Sequence, residues 1–114
     1  MTAFEPGDLV EVPFPFIEAG ISKRRPALVL STPEFQRHSG ACVLSMITSA
    51  ERSHWENDCV LESWAEAGLH KPSLVRWKIF TLDEALIHGR RGHLAESDMS
   101  KIGQALNSIL SAWN

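Results

Sequence analysis

Only one stretch of this chain repeats apolar residues at helical spacing, and it lies at the end. From Glu96 to Trp113, the residues Met99, Ile102, Leu106, Ile109, Leu110 and Trp113 recur every three or four positions. That is an amphipathic stripe, whose simplest use is packing on a core. Glu96 and Asp98 suit the positive end of the helix dipole, and Ser97 or Ala95 is the candidate N-cap. Everything before it consists of short apolar runs broken by proline, glycine and polar clusters, the pattern of strands. The expected fold class is therefore α+β, mainly β: a curled antiparallel sheet or small barrel of five to seven strands with a C-terminal helix laid on it. The 114 residues contain no linker, internal repeat or low-complexity segment, so residues 1–114 read as one domain long enough to bury a real core.

The strands can be placed in order. Pro6-Gly7-Asp8 is a turn, after which Leu9 to Phe16 alternates. Val10, Val12, Phe14 and Phe16 form a uniformly apolar face expected to meet the core; Leu9, Glu11, Pro13 and Pro15 form the other. The two prolines make the end of this strand an edge or an exit. Ile17 to Arg24 reads as a loop, and Ala27 to Thr32 and Ala41 to Thr48 as apolar strands. Between those strands, Pro33 to Gly40 is polar and irregular, with room for a short helical turn. Asp58 to Leu61 is a short strand between the loops Ala50–Asn57 and Glu62–His70. Ser73 to Thr81 is a long strand with Leu74, Arg76, Lys78 and Phe80 on one face and Val75, Trp77 and Ile79 on the other. Its cationic face is expected to look outward and Trp77 to join the core. Asp83 to Ile87 suits one helical turn, and Gly89 to Leu94 a turn into a last strand.

The net charge is −3, so a nucleic-acid site would have to be a local basic patch. The cations do cluster, at Lys23 to Arg25, Lys71 to Lys78 and Arg90-Arg91. Pro26 biases Arg25 toward an extended conformation just before an apolar strand. A guanidinium held there can bind two phosphate oxygens at once, although a row of cations is also what a solvated loop looks like. The third strand ends in two hydroxyls, Thr48 and Ser49. Cys42 and Cys59 lie in apolar runs without CxxC spacing, and Met1 to Pro6 has no signal-peptide character. A reduced, cytoplasmic protein with two buried thiols is expected. No apolar run approaches the roughly 18 residues of a membrane span. No metal-ligand spacing is present, and no cofactor is expected.

Three segments, Gly7-Asp8-Leu9-Val10-Glu11-Val12-Pro13-Phe14, Arg24-Arg25-Pro26-Ala27-Leu28-Val29-Leu30-Ser31 and Met46-Ile47-Thr48-Ser49, resemble in order and spacing the PemK/MazF-like growth-inhibiting toxins of toxin–antitoxin systems. Ser73 to Asp83 and the terminal helix are similar as well, so the resemblance runs from about Gly7 to Leu110. It implies an SH3-like half-barrel with a C-terminal helix, a homodimer, and an antitoxin protein as partner. It also implies a metal-independent endoribonuclease that cuts single-stranded RNA at short sequences, leaving a 2′,3′-cyclic phosphate and a 5′-OH. The family's catalytic Arg and Thr correspond to Arg25 and Thr48. Lys23, Arg24, Ser49, His70, Lys71, Arg76 and Lys78 are the expected RNA contacts. A guanidinium is a poor base, which leaves proton transfer open, with His70 the candidate by position.

Trp55 or Trp64 could stack on unpaired bases or could belong to a core or dimer interface. The chain departs from better-known members at Ile17 to Arg24, where they carry a Gly-Ser-Glu-Gln-type loop. Glu18 does not fall at the matching distance from Arg25, which bears on cleavage specificity. Two other functions remain open: a gyrase-poisoning toxin of related architecture, for which Trp113 at the helix end is the hint, and an RNA-binding module that does not cut. An acidic or amphipathic antitoxin tail across the Arg25 groove would exclude RNA.

Overall fold

Leu9 and Val10 are neighbours on one strand, so their side chains leave opposite faces of the sheet, and both are completely buried. That pair requires cover on both sides. In the computed structural model, which describes residues 3–14, 23–51 and 54–111, the cover comes from the curl of the sheet on one side and from a helix and a loop on the other. The elements are β1 (Asp8–Phe14), β2 (Lys23–Val29), α1 (Pro33–Ser39), β3 (Ala41–Ser49), β4 (Cys59–Val60), β5 (Ser73–Asp83), a 3-10 turn at Glu84–Leu86, β6 (Gly89–His93) and α2 (Glu96–Ile109). The six strands form one antiparallel half-barrel sheet in the order β4-β5-β3-β2-β1-β6. This is the expected mainly β class with a C-terminal helix.

Two apolar clusters follow from the alternation. Val10, Val12, Ala27, Val29, Cys42, Leu44 and Leu82 pack inside the curl. Leu9, Leu28, Ile47, Val75, Leu94 and Ile102 pack on the opposite face, under α2 and residues 59–69. The expected core face of β1 is thus buried at Val10 and Val12, but the other face is buried too at Leu9, because α2 covers it. The Phe14 side chain, Pro15 and Phe16 lie outside the described residues. Pro13 behaves as an edge residue: β6 pairs β1 only as far as Glu11.

Several boundaries differ from the sequence expectation, three of them with a clear physical reason. β2 begins at Lys23, not Ala27, because β1 continues to Phe14 and the hairpin ladder runs through Val12–Arg25, Pro13–Arg24 and Phe14–Lys23. Pro26 is tolerated because pairing to β3 starts only at Ala27. Pro33–Ser39 is a full short helix: Thr32 accepts from the Phe35 amide, Pro33 opens the first turn, and Gly40 closes it at φ 72°. α2 ends at Ile109, and Trp113 lies outside the described residues. Its backbone starts from Ala95 without a side-chain cap, so Ser97 does not serve.

α2 also carries a polar tether. Asp98 is wholly buried and accepts from the Glu62 amide (3.1 Å) and the Ser63 amide (3.0 Å). Farther along the same loop, a Cβ on Gly92 would collide with the Ala67 carbonyl, so only glycine lets β6 and the loop touch backbone to backbone. The loop that ends in His70 and Lys71 is seated by these contacts. Trp64 and Trp77 are half-buried against the cluster under α2, which makes Trp64 a packing residue and places Trp77 as expected.

Candidate active site

Antiparallel pairing carries Arg25 and Thr48 toward each other. β2 and β3 are in register at Ala27–Met46. The ladder ends at that pair, and two residues beyond it on each strand the two-residue period puts Arg25 and Thr48 on the face of Ala27 and Met46. Val12 pairs with Arg25 on the β1 side, and Arg76 pairs with Met46 on the β5 side. Val12, Arg25, Met46, Thr48 and Arg76 line one pocket of about 210 Å³. Arg25 is exposed and Thr48 half-buried. No described residue forms an ion pair with Arg25.

Arg76 stands differently. β3 and β5 slip register between Ser45–Ile79 and Met46–Arg76, leaving Trp77 and Lys78 without partners on β3. Such bulges re-aim side chains. The Ser45 hydroxyl donates to the Arg76 carbonyl at 2.6 Å within this irregularity. Instead of looking outward as expected, Arg76 is 7% exposed and paired with Asp58, through Nε to Oδ1 (3.3 Å) and Nη2 to Oδ2 (2.8 Å). The physical reason is Asp58, delivered beside Arg76 by the Cys59–Val75 pairing of β4 with β5. Burial pushes the Asp58 carboxyl up, but hydrogen bonds from Arg76 and the Trp55 amide, with the charges of Arg76 and His54, outweigh it and hold it below the usual carboxylate range. The hydrogen bond to Asp58 raises Arg76 in turn.

Beside the pocket runs a basic groove of about 400 Å³ lined by Lys23, Arg24, Arg25, His70, Lys71 and Arg91. Arg25 and Pro26 line both cavities, so the two adjoin at the start of β2. Arg91 donates from Nε to the Gly68 carbonyl (2.8 Å) and lies 3.6 Å from Glu11, which fixes the groove's far wall.

Of the residues expected from sequence, Arg25, Thr48 and Arg76 share the pocket, while Lys23, Arg24, His70 and Lys71 share the groove. His70 is exposed in the groove and does not line the pocket. Ser49 is a correction: at 8% exposure it faces away from Thr48, and its hydroxyl accepts from the Glu51 amide, which caps the turn after β3. Lys78 is exposed but lines neither cavity; its Nζ lies 5.3 Å from the centre of the Trp55 ring. Sequence reasoning missed Asp58, whose role appears only through strand pairing, and Arg91, whose signal was the Arg90-Arg91 cluster. Glu18 and the rest of residues 15–22 lie outside the described residues. Cys42 and Cys59 are both buried as free thiols, and burial pushes both up from the ordinary thiol value. Among the described residues, no three His, Cys, Asp or Glu side chains converge, and no helix is long and apolar enough to cross a membrane.

Residues 5–110 match the family model of the PemK-like, MazF-like toxin of type II toxin–antitoxin systems. Among solved structures, an endoribonuclease in complex with its cognate antitoxin from a mycobacterial species superposes with a TM-score of 0.76 at 20% identity, covering 100% of both chains. A chain of the MazE–MazF crystal structure from Deinococcus radiodurans gives 0.73 at 20% identity, over 97% of this chain and 98% of that one. The Mycobacterium tuberculosis toxin MazF-mt6 gives 0.72 at 19% identity, over 93% and 99%. At these identities the likeness shows a shared fold. No curated protein sequence matches.

Proposed function

This chain belongs to the PemK-like, MazF-like toxins of type II toxin–antitoxin systems, and on that premise we propose that it is a metal-independent endoribonuclease cutting single-stranded RNA at short sequences. The observation that carries the reading is the convergence of Arg25 and Thr48 on one small pocket at the head of a basic groove.

In such a cut the RNA supplies its own nucleophile. The 2′-oxygen forms a bond to the adjacent phosphorus, the bond from phosphorus to the 5′-oxygen breaks, and the products are a 2′,3′-cyclic phosphate and a 5′-OH. The 2′-OH loses a proton and the leaving 5′-oxygen gains one. The protein has to align three atoms and stabilise charge on the non-bridging oxygens. Arg25 gives those oxygens two charge-assisted hydrogen bonds from a planar fork. Thr48 donates a third from a strand end. Lys23, Arg24 and Lys71 bind the flanking phosphates, and His70, whose imidazole can both accept and donate a proton, is the group of the groove suited to moving one.

The further expectations keep the same standing. A homodimer and an antitoxin partner are supported by family membership and by relatives solved with antitoxins. An acidic antitoxin tail would occupy the groove of Lys23, Arg24, Lys71 and Arg91 and displace RNA from it. The two buried free thiols support a reducing, cytoplasmic setting.

The test is cleavage of a single-stranded RNA pool in EDTA by the wild type and by Arg25→Ala, with mapping of the new 5′ ends. The expected result is fragments with 5′-OH ends from the wild type and a loss of roughly 100- to 1,000-fold in the variant. Equal cutting by both, or none by the wild type, would overturn the proposal.

A further inference from the structure

Trp55 is 47% exposed, yet it is held on two sides. Its amide donates to Asp58 Oδ2 at 2.7 Å, and its carbonyl accepts from the Asp58 amide at 3.1 Å. The Arg76 guanidinium lies over its ring, 4.7 Å from the centre, and Arg76 is itself fixed by Asp58. One carboxylate thus anchors both the backbone and the ring contact of an aromatic residue that stays open to water.

The surroundings of the ring say what it could receive. His54, Glu56, Asn57 and Lys78 around it are all exposed and polar, so the indole is not part of an apolar patch that a protein core would cover. Arg76 joins the ring to the pocket of Arg25 and Thr48, because it lines that pocket. Lys78 reaches over the same ring at 5.3 Å and forms no ion pair among the described residues. A flat π-face with a cation beside it, next to the pocket of Arg25 and Thr48, fits a nucleobase and its backbone.

We propose that Trp55 is a stacking platform for the nucleobase next to the scissile phosphate, with Asp58 and Arg76 as its positioning residues and Lys78 as a ligand of that nucleotide's phosphate. The assignment rests on the ribonuclease reading for its substrate class and deepens it. When a base enters, it takes the place of the Lys78 ammonium on the ring, and the ammonium turns to the backbone. Arg76 keeps its bonds to Asp58 and makes no new one.

The experiment uses a fluorescent 2′-O-methyl RNA 12-mer pool, which no 2′-OH attack can cleave, titrated against the full-length wild type, Trp55→Leu and Trp55→Phe over a series of salt concentrations. Trp55→Leu should bind about 5- to 150-fold more weakly with an unchanged salt slope, since stacking carries no charge. Trp55→Phe should recover most of that loss. Unchanged binding by Trp55→Leu would overturn the platform. So would a loss that appears only together with dissociation of a dimer in sedimentation, or weakened antitoxin binding with RNA binding intact. Because the probe cannot be cut, stacking that persists in a protein unable to cleave RNA would sink the nuclease reading and leave the platform standing.

Discussion

Two arginines line one pocket and stand in opposite states. Arg25, at the start of β2, is exposed and has no ion pair among the described residues. Arg76, across the sheet on β5, is buried and gives Nε and Nη2 to Asp58. The side chains are the same; the neighbouring carboxylate is the difference. For Arg76 to offer a phosphate the fork of Nε and Nη2, it would have to abandon a buried aspartate, which costs more than a surface rearrangement. Availability, not proximity to the pocket, therefore separates a phosphate ligand from a scaffold residue. The comparison also explains why the region around Arg76 is a buried, hydrogen-bonded support, while the region around Arg25 opens into a groove of like charges.

The contrast can be broken experimentally in four places. Arg25→Ala should cost roughly 100- to 1,000-fold in single-turnover cleavage while shifting stability by less than about 0.5 kcal/mol, because the residue is exposed. Asp58→Ala should do the reverse. It removes the carboxylate that takes Nε and Nη2 of a buried guanidinium, so urea denaturation should show a loss of about 1–3 kcal/mol, with saturated cleavage changed less than about tenfold. Comparable cleavage losses in the two variants would erase the distinction.

The third break is a pH effect of known sign. The folded Asp58 carboxyl titrates below its ordinary value of 3.8, so its contribution to stability is complete above pH 3.8 and fades as the pH falls through the lower folded value. Wild type and Asp58→Asn should therefore converge in stability in acid and keep a constant gap toward neutrality, as read by thermal melts. The smallest effect concerns the groove. Lys71→Ala should lower the salt slope of RNA binding by about 0.7, the value for one phosphate contact on a single strand, while the uncharged change Trp55→Leu leaves it unchanged.

The legibility of these two regions in the sequence was unequal. Arg25 could be found because Pro26 and the apolar run behind it mark a strand start, and Thr48 because it closes the next apolar run. Local pattern was enough, since both residues lie two positions beyond the end of the β2–β3 ladder, on strands adjacent in the sheet. Arg76 read as an outward cation because alternation within β5 says nothing about Asp58. That carboxylate is 18 residues away and arrives through a two-residue strand that pattern alone barely registers. Alternation sets Leu9 on the face opposite the expected core, yet it is buried, for a related reason. A curled sheet with a helix on its back buries both faces, and a period of two predicts only that the faces differ. The helix at Pro33–Ser39 was readable in principle from Thr32-Pro33 and Gly40, whose capping roles outweigh the polarity of the residues between them.

The central claim is that the Arg25 fork and the Thr48 hydroxyl act on one phosphate. A double-mutant cycle measures this directly, using single-turnover cleavage of one RNA in EDTA by the wild type, Arg25→Ala, Thr48→Val and the double variant. Groups that stabilise the same transition-state charge should be strongly non-additive, with the double variant little slower than the worse single one. Two losses that simply multiply would mean the side chains act independently, and the account of a shared phosphate site would be wrong.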